Sequence, residues 1–491
     1  MKKLFALLLA GLMLFALIAC NTGDTGDTGN TGFEGETGDL NEDPEYANPN
    51  LPSQNLGRDV IFLTREEGSY CEEVGIGEDA PDVVYAAIYK RDNYLGQKYG
   101  ATLKRLAKPK DDLGSYANEM IKSDDLTFDV IMAGFATTYS LMSNEVLLTV
   151  DEIPHVDTEK HYWSQSILES TSIANKNYFL VSPTNLTSYN SASCVFVNTG
   201  MYNDLMDSGV YDKDIYEIVR DKEWTVDKMF ELSKKAYFDK DGSQSANVGD
   251  RFGSCSSLAA CEGMFSGMGA KYVTKNEDDI PEYNGITETM SDIMTKIINY
   301  WADDSSLLIN RYGTEENTVF MDTLVNQNML FMPEQLYQYT LFGTYGEYTA
   351  GVLPMPMYTE DQDAYYTFSH VNWSSATSVP KTLSEEHVDQ VGAILEDLAY
   401  YSNRDVFPVY YDVNLKARRA EGDPDTIEMM DLIFSTLDVD MGNTLVSSQF
   451  DAMYILRDLV LNSSTDIVSR FEQKAPIYVA VLQKLSKIAE T

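Results

Sequence analysis

Histidine, cysteine and tryptophan are scarce in this chain of 491 residues, which holds only four, five and four of them. Without C-x-x-C, H-E-x-x-H or G-x-x-x-x-G-K-S/T anywhere, little material remains for a thiolate or histidine metal centre, and the common markers of nucleotide-dependent enzymes are missing. Basic residues are also outnumbered, 36 Lys plus Arg against 77 Asp plus Glu. The resulting net charge of -41 repels phosphate backbones, so nucleic acid is excluded as a partner. With 15 Pro, 44% hydrophobic and 11% aromatic residues, the chain is too apolar to be disordered and too long for one small core. Two domains of ordinary size fit best.

Long apolar runs are limited to the N-terminus. Lys2 and Lys3 precede an apolar stretch from Leu4 to Ala19, shorter than the roughly 20 residues a membrane-spanning helix needs. It reads as a secretory signal over 1–19. Leu17-Ile18-Ala19-Cys20 resembles the lipobox of bacterial lipoproteins, which implies cleavage before Cys20 and fatty chains, palmitate among them, on its new N-terminus; an ordinary signal peptide cut after Ala19 is the alternative. Such an anchor holds a protein at a membrane without a spanning segment. Residues 20–57 then read as a linker. Asn21 to Asn50 carries eight acidic residues and no basic one, and Gly23, Gly26, Gly29, Gly32, Gly35 and Gly38 recur at every third position. No proline interrupts those triplets, so the stretch predicts an extended stalk and not a collagen helix.

From about residue 58 the pattern is that of an α/β fold. Asp59 to Thr64 and Phe128 to Ala133 are short apolar runs that predict buried strands, and Asp82 to Tyr99 predicts a helix stopped by Gly100. Strand, helix and strand in this order predict parallel pairing. Thr225 and Ser384 predict N-caps of later helices, and Cys194–Val197, Met329–Met332 and Ala350–Leu353 predict further strands.

A series of short matches then runs in order through nearly all of the folded part. It comprises Ala87-Ile88-Tyr89-Lys90-Arg91-Asp92 ahead of Tyr99-Gly100-Ala101-Thr102-Leu103, Phe128-Asp129-Val130, Leu148 to Pro154 leading to His161-Tyr162-Trp163, and Asn175 to Phe179. Val195-Phe196-Val197-Asn198, Glu223 to Lys228, Val352 to Pro356, Ser378 to Lys381 and Ala393 to Glu396 complete it. In this the chain resembles family 1 extracellular solute-binding proteins, the lipoprotein component of carbohydrate ABC importers. The resemblance implies a two-lobed, periplasmic-binding-protein-like α/β fold of type II with three crossover segments. Laid on the predicted strands, the crossovers fall near 183–194, 326–331 and 374–379. One lobe then holds 58–185 plus 328–375, and the other 186–327 plus 376–491.

The same resemblance implies a function: an extracytoplasmic monomer, lipid-anchored to the cell membrane, that captures a mono- or oligosaccharide between its lobes. It would pass the sugar unchanged to permease subunits with a separate ATPase. No bond is broken and no cofactor is required on this reading. Two other readings stand beside it, a lipid-anchored glycoside hydrolase with paired carboxylates and a solute-sensing subunit for a signalling receptor.

A sugar presents hydroxyls and apolar C–H faces, so its site needs polar and aromatic side chains together. Ligands in open α/β sheets lie beyond the carboxyl ends of strands, which points to Phe135 and Tyr139 after the strand at 128–133. Trp163 and Trp373 lie in polar surroundings and are candidate stacking platforms, although Trp163 equally suits a structural staple; Trp224 reads as structural. Tyr189 and Asn190 in the first crossover, with Ser191, and Glu334 after the second, are candidates by position. Separately, Asp239, Asp241, Ser243, Asn247 and Asp250 fall at loop positions that match a calcium-binding pattern, with Gln244 where a glycine is usual. Either a structural calcium or a plain acidic turn fits. Cys71, Cys194, Cys255 and Cys261 are even in number for an exported chain, and spacing does not decide between disulfides and buried thiols.

Overall fold

The computed structural model describes residues 47–491 apart from 69, 244, 311–317, 339–349, 418–423, 445–451 and 490–491. The signal and most of the stalk, with Cys20, lie outside the described residues. Asn48–Thr491 form one unit, and its folded part starts earlier than the expected boundary. Gln54, Leu56 and Gly57 donate backbone hydrogen bonds to the carbonyls of Lys98, Tyr99 and Gly100, so the end of the expected 20–57 linker is stitched to the first helix.

Two sheets carry the fold. The first contains β1 (Asp59–Arg65), β2 (Thr102–Lys108) and β3 (Val130–Ala133). The second contains β4 (Ser193–Asn198), β5 (Phe252–Ser257), β6 (Ser306–Ile309), β7 (Met329–Gln335) and β8 (Ala350–Leu353). The chain then returns to the first sheet with β9 (Ala376–Ser378), giving the spatial orders β9-β3-β1-β2 and β8-β4-β7-β5-β6. β1 pairs parallel with both β2 and β3, as strand-helix-strand order requires, while β9 runs antiparallel to β3. In the second sheet β4 alone runs against its neighbours.

Local signals explain the helices. α1 (Val83–Tyr99) starts where the Asp82 carboxylate accepts the backbone N–H of Val84 and Tyr85, and stops at Gly100 with φ 55. α2 (Lys110–Lys122) and α3 (Phe135–Ser143) follow β2 and β3. Thr225 and Ser384 cap α4 (Val226–Ala236) and α5 (Glu385–Tyr401), each accepting a backbone N–H. α5 packs on the first sheet, its Ile394, Leu395 and Leu398 against Val60 and Phe62. Trp224, wholly buried, donates its indole N–H to the carbonyl of Pro354.

The lobes are divided differently from the expected scheme. Met329–Gln335 and Ala350–Leu353, expected in the first lobe, lie in the second sheet; Ala376–Ser378, expected to begin the second lobe's return, lies in the first. The chain crosses between sheets at 134–192 and 354–375. A third passage follows α5 through a π-helical turn, Ser402–Val406, into α6 (Phe407–Ala417), whose start packs with Cys194 and Phe196 of the second sheet. A short apolar run reads the same whichever sheet receives it, which is why Met329–Gln335 and Ala350–Leu353 were expected in the other lobe.

α5 approaches the first lobe closely at Gly392, where an added Cβ would run into the carbonyl of Pro154. Gly392→Ala is therefore expected to destabilise the protein by about 1–3 kcal/mol, read as a lowered melting temperature. An unchanged melting temperature would show that this contact gives way freely.

Candidate functional site

At the carboxyl end of β1 a cavity of about 230 Å³ opens between the sheets, lined by Arg65, Glu67, Gly68, Thr187, Asn190, Ser191, Tyr337 and Trp373. The lining comes from the ends of strands in both sheets and from the first two crossovers. Arg65, Glu67 and Gly68 leave β1; Thr187, Asn190 and Ser191 belong to the first crossover; Tyr337 follows β7; Trp373 belongs to the second crossover.

Two buried ionisable side chains, Arg65 and Glu73, hold this arrangement. The Arg65 guanidinium donates to the carbonyls of Asn372 (3.1 Å), Ser374 (2.9 Å) and Trp373, fixing the loop that carries the indole. Its Cζ stands 5.8 Å from the Trp373 ring centre, and the Lys110 ammonium 5.6 Å from the same ring. Behind the wall, the Glu73 carboxylate accepts the backbone N–H (2.8 Å) and hydroxyl (2.7 Å) of Thr187 and the hydroxyl of Ser375 (2.7 Å). One side chain thus joins the first two crossovers. Burial pushes its carboxyl above the ordinary range, opposed by those hydrogen bonds. His370 ties the same segments by donating its backbone N–H to the carbonyl of Ser191, and burial pushes its imidazole down to about 3, so the ring is neutral.

The expected residues divide into those at the cavity and those behind it. Asn190 and Trp373 line it, as does Ser191. Phe135 and Tyr139 are core residues, 0% and 1% exposed, packed on Phe179; Gly134 before them abuts the Val371 carbonyl, so this loop backs the wall. Trp163 is a staple: its indole N–H reaches the buried Glu396 carboxylate at 3.1 Å, beside the Tyr162 hydroxyl. Tyr189 packs between Phe407 and Phe434. The Glu334 carboxylate accepts the hydroxyls of Ser256 and Ser257 inside the second lobe. Arg65, Glu67, Gly68, Thr187 and Tyr337 went unnoticed in the sequence, although a charged residue closing an apolar strand is a signal for Arg65.

A larger cavity of about 570 Å³ is lined by Glu169, Lys271, Lys275, Tyr365, Tyr366 and Asp438, among others. Its charged groups are largely occupied, Lys271 with Asp438 at 2.6 Å and Lys275 with Asp279 at 2.8 Å. It contains none of the expected residues. In the acidic loop, carboxylate oxygens of Asp239, Asp241 and Asp250 lie within 4.8 Å of one another. Asp250 also accepts the backbone N–H of Lys240 and Asn247, while the Asn247 amide donates to the Ser243 hydroxyl. This loop shares no residue with either cavity. Cys71, Cys194, Cys255 and Cys261 are buried and form no disulfide. Among the described residues no helix is long and apolar enough to cross a membrane.

The raised carboxyl of Glu73 has a definite sign in stability. Because the folded protein holds this proton more tightly than the unfolded chain, the group's contribution is fully present below the ordinary carboxylate range and is lost as pH rises through the folded value. Glu73→Gln keeps one acceptor and has no charge to bury. It is expected to lose less stability than the wild type as pH rises from about 4 to 8, read as the difference between the two melting curves; parallel curves would refute the assignment.

No protein-family model matches the sequence, and no curated protein does. Solved structures do match in fold. The M. tuberculosis protein UspC aligns with a TM-score of 0.56 at 11% identity, over 86% of this chain and 99% of its own. The galacto-N-biose-/lacto-N-biose I-binding protein of the ABC transporter from Bifidobacterium longum, solved with lacto-N-biose, aligns with a TM-score of 0.54 at 12% identity, over 87% and 97%. A cyclo/maltodextrin-binding protein complexed with maltotetraose aligns with a TM-score of 0.53 at 11% identity, over 88% and 96%. With two sheets, three crossovers and coverage of nearly the whole folded part, this chain has the two-lobed fold of the solute-binding proteins that its sequence resembles.

Proposed function

We propose that this chain is an extracytoplasmic, lipid-anchored binding protein that captures a carbohydrate by lobe closure and delivers it to the permease of an ABC importer. The observation that carries this reading is the cavity itself. Trp373, Tyr337 and Asn190 line one cavity, a mixture of aromatic and amide side chains of the kind a sugar ring requires. Its walls come from both lobes and both of the first two crossovers, so occupancy and lobe position are linked. The fold neighbours include proteins solved with lacto-N-biose and maltotetraose, which supports a mono- or oligosaccharide. The binding chemistry described needs no cofactor, and an ion in the acidic loop would brace that turn without meeting the solute. The Leu17 to Cys20 motif supports the anchor.

Two measurements test the reading. Titrating a sugar panel is expected to shift both melting temperature and tryptophan fluorescence, and Trp373→Ala is expected to remove the fluorescence change and weaken binding about tenfold. Hydrolysis of chromogenic glycosides, or a Trp373→Ala variant that binds as well as wild type, would overturn it. Cys20→Ala is expected to move the protein from the membrane to the soluble fraction and to abolish palmitate labelling.

A further inference from the structure

We infer that the solute is an acidic sugar, one bearing a carboxylate, sulfate or phosphate, selected by Arg65 and Lys110 beside the Trp373 ring; this rests on the reading of the cavity as the solute site. The motive is a buried positive charge that no carboxylate touches, Glu73 and Glu67 acting on it only from a distance. Arg65 is only 5% exposed, and a guanidinium taken out of water is costly unless an anion faces it. Among the described residues no carboxylate comes within 4.0 Å of it. Its donors go to three neutral carbonyls, and its Nε–H has no partner.

The nearby carboxylates are committed elsewhere. Glu67 accepts the backbone N–H of Lys110 at 2.8 Å, at the first residue of α2, where the positive end of the helix answers its charge. Glu73 is enclosed by Thr187 and Ser375, and burial favours its neutral form. Lys110 is paired only with the exposed Asp111 at 3.0 Å, an arrangement worth little. Two cations therefore stand by one indole, Arg65 in the lining of the cavity and Lys110 outside that lining but 5.6 Å from the ring, and the nearby carboxylates are already engaged.

The charge of the whole chain sharpens the point. At -41 it repels an anion at a distance, so an acidic solute needs cations in its own cavity, while a neutral sugar needs none. A neutral ring stacked on Trp373 would leave Arg65 as it is. An acid group would convert an uncompensated charge into charge-assisted hydrogen bonds, the stronger kind.

Calorimetric titration of the full chain separates the possibilities, with maltotriose and cellobiose as neutral sugars, digalacturonate, a sulfated disaccharide and glucose 6-phosphate as acidic ones, and citrate as an acid without a sugar. At least one acidic sugar is expected to bind, with affinity falling as salt rises and falling about tenfold in Lys110→Gln; which one binds identifies the acid. Arg65→Met is expected to abolish that binding. Should it fail to fold by circular dichroism, Lys110→Gln still decides. Neutral sugars binding alone, unaffected by Lys110→Gln, would overturn this inference and leave sugar capture standing. Citrate binding with every sugar inert would overturn both.

Discussion

The candidate site exists because one short loop grips two crossovers at once. Arg65 leaves β1 and takes the carbonyls of 372–374; Glu73, a few residues on, takes Thr187 from the first crossover and Ser375 from the second. Both side chains are nearly or wholly buried, and a buried charge stays only where its hydrogen bonds are supplied. The connection is therefore mutual: the crossovers supply most of the hydrogen bonds these two side chains need, and the side chains fix where those segments run. Trp373 and Asn190 acquire definite positions as a result.

The sequence reading of the fold succeeded where local chemistry decides and faltered where pairing does. Asp82, Gly100, Thr225 and Ser384 act through hydrogen bonds and dihedral angles of their own neighbourhood, so the helix ends they set were readable. β2 was overlooked. Its sequence, Thr102 to Lys108, carries Lys104, Arg105 and Lys108, which a sheet edge tolerates and even favours, and so it lacks the apolar run that marks β1 and β3. β7 and β8 were recognised as strands yet given to the wrong lobe, because membership of a sheet is a long-range choice that side-chain alternation does not encode.

At the candidate site a similar line divides the expected residues that line the cavity from those that stand behind it. Asn190 and Trp373 were found from their place in crossovers, the segments with least freedom to leave the interlobe space. Phe135 and Tyr139 were expected from the rule that ligands lie beyond strand ends, and the rule points to the end of the sheet where the cavity lies. It does not distinguish which loop forms the wall and which stands behind it. Here Gly134 lets β3 approach the second crossover so closely that its following residues turn into the core, and the crossover takes the wall instead. Trp163 was misplaced for a different reason: a polar sequence context looks the same whether its partner is water, a solute or a buried carboxylate such as Glu396.

The shape of the cavity and the relative position of the two sheets are joined by this construction. Because Trp373, Asn190 and Ser191 sit on the connecting segments and not on either sheet, any rotation of one lobe against the other alters the cavity at once. A solute that contacts both walls therefore favours one lobe arrangement by its difference in affinity for the two, and by no more than that difference. The ties from Arg65 and Glu73 limit how the crossovers bend, since moving them apart would strip buried charges of their partners. The stretches so tied are 187 in the first crossover and 372–375 in the second.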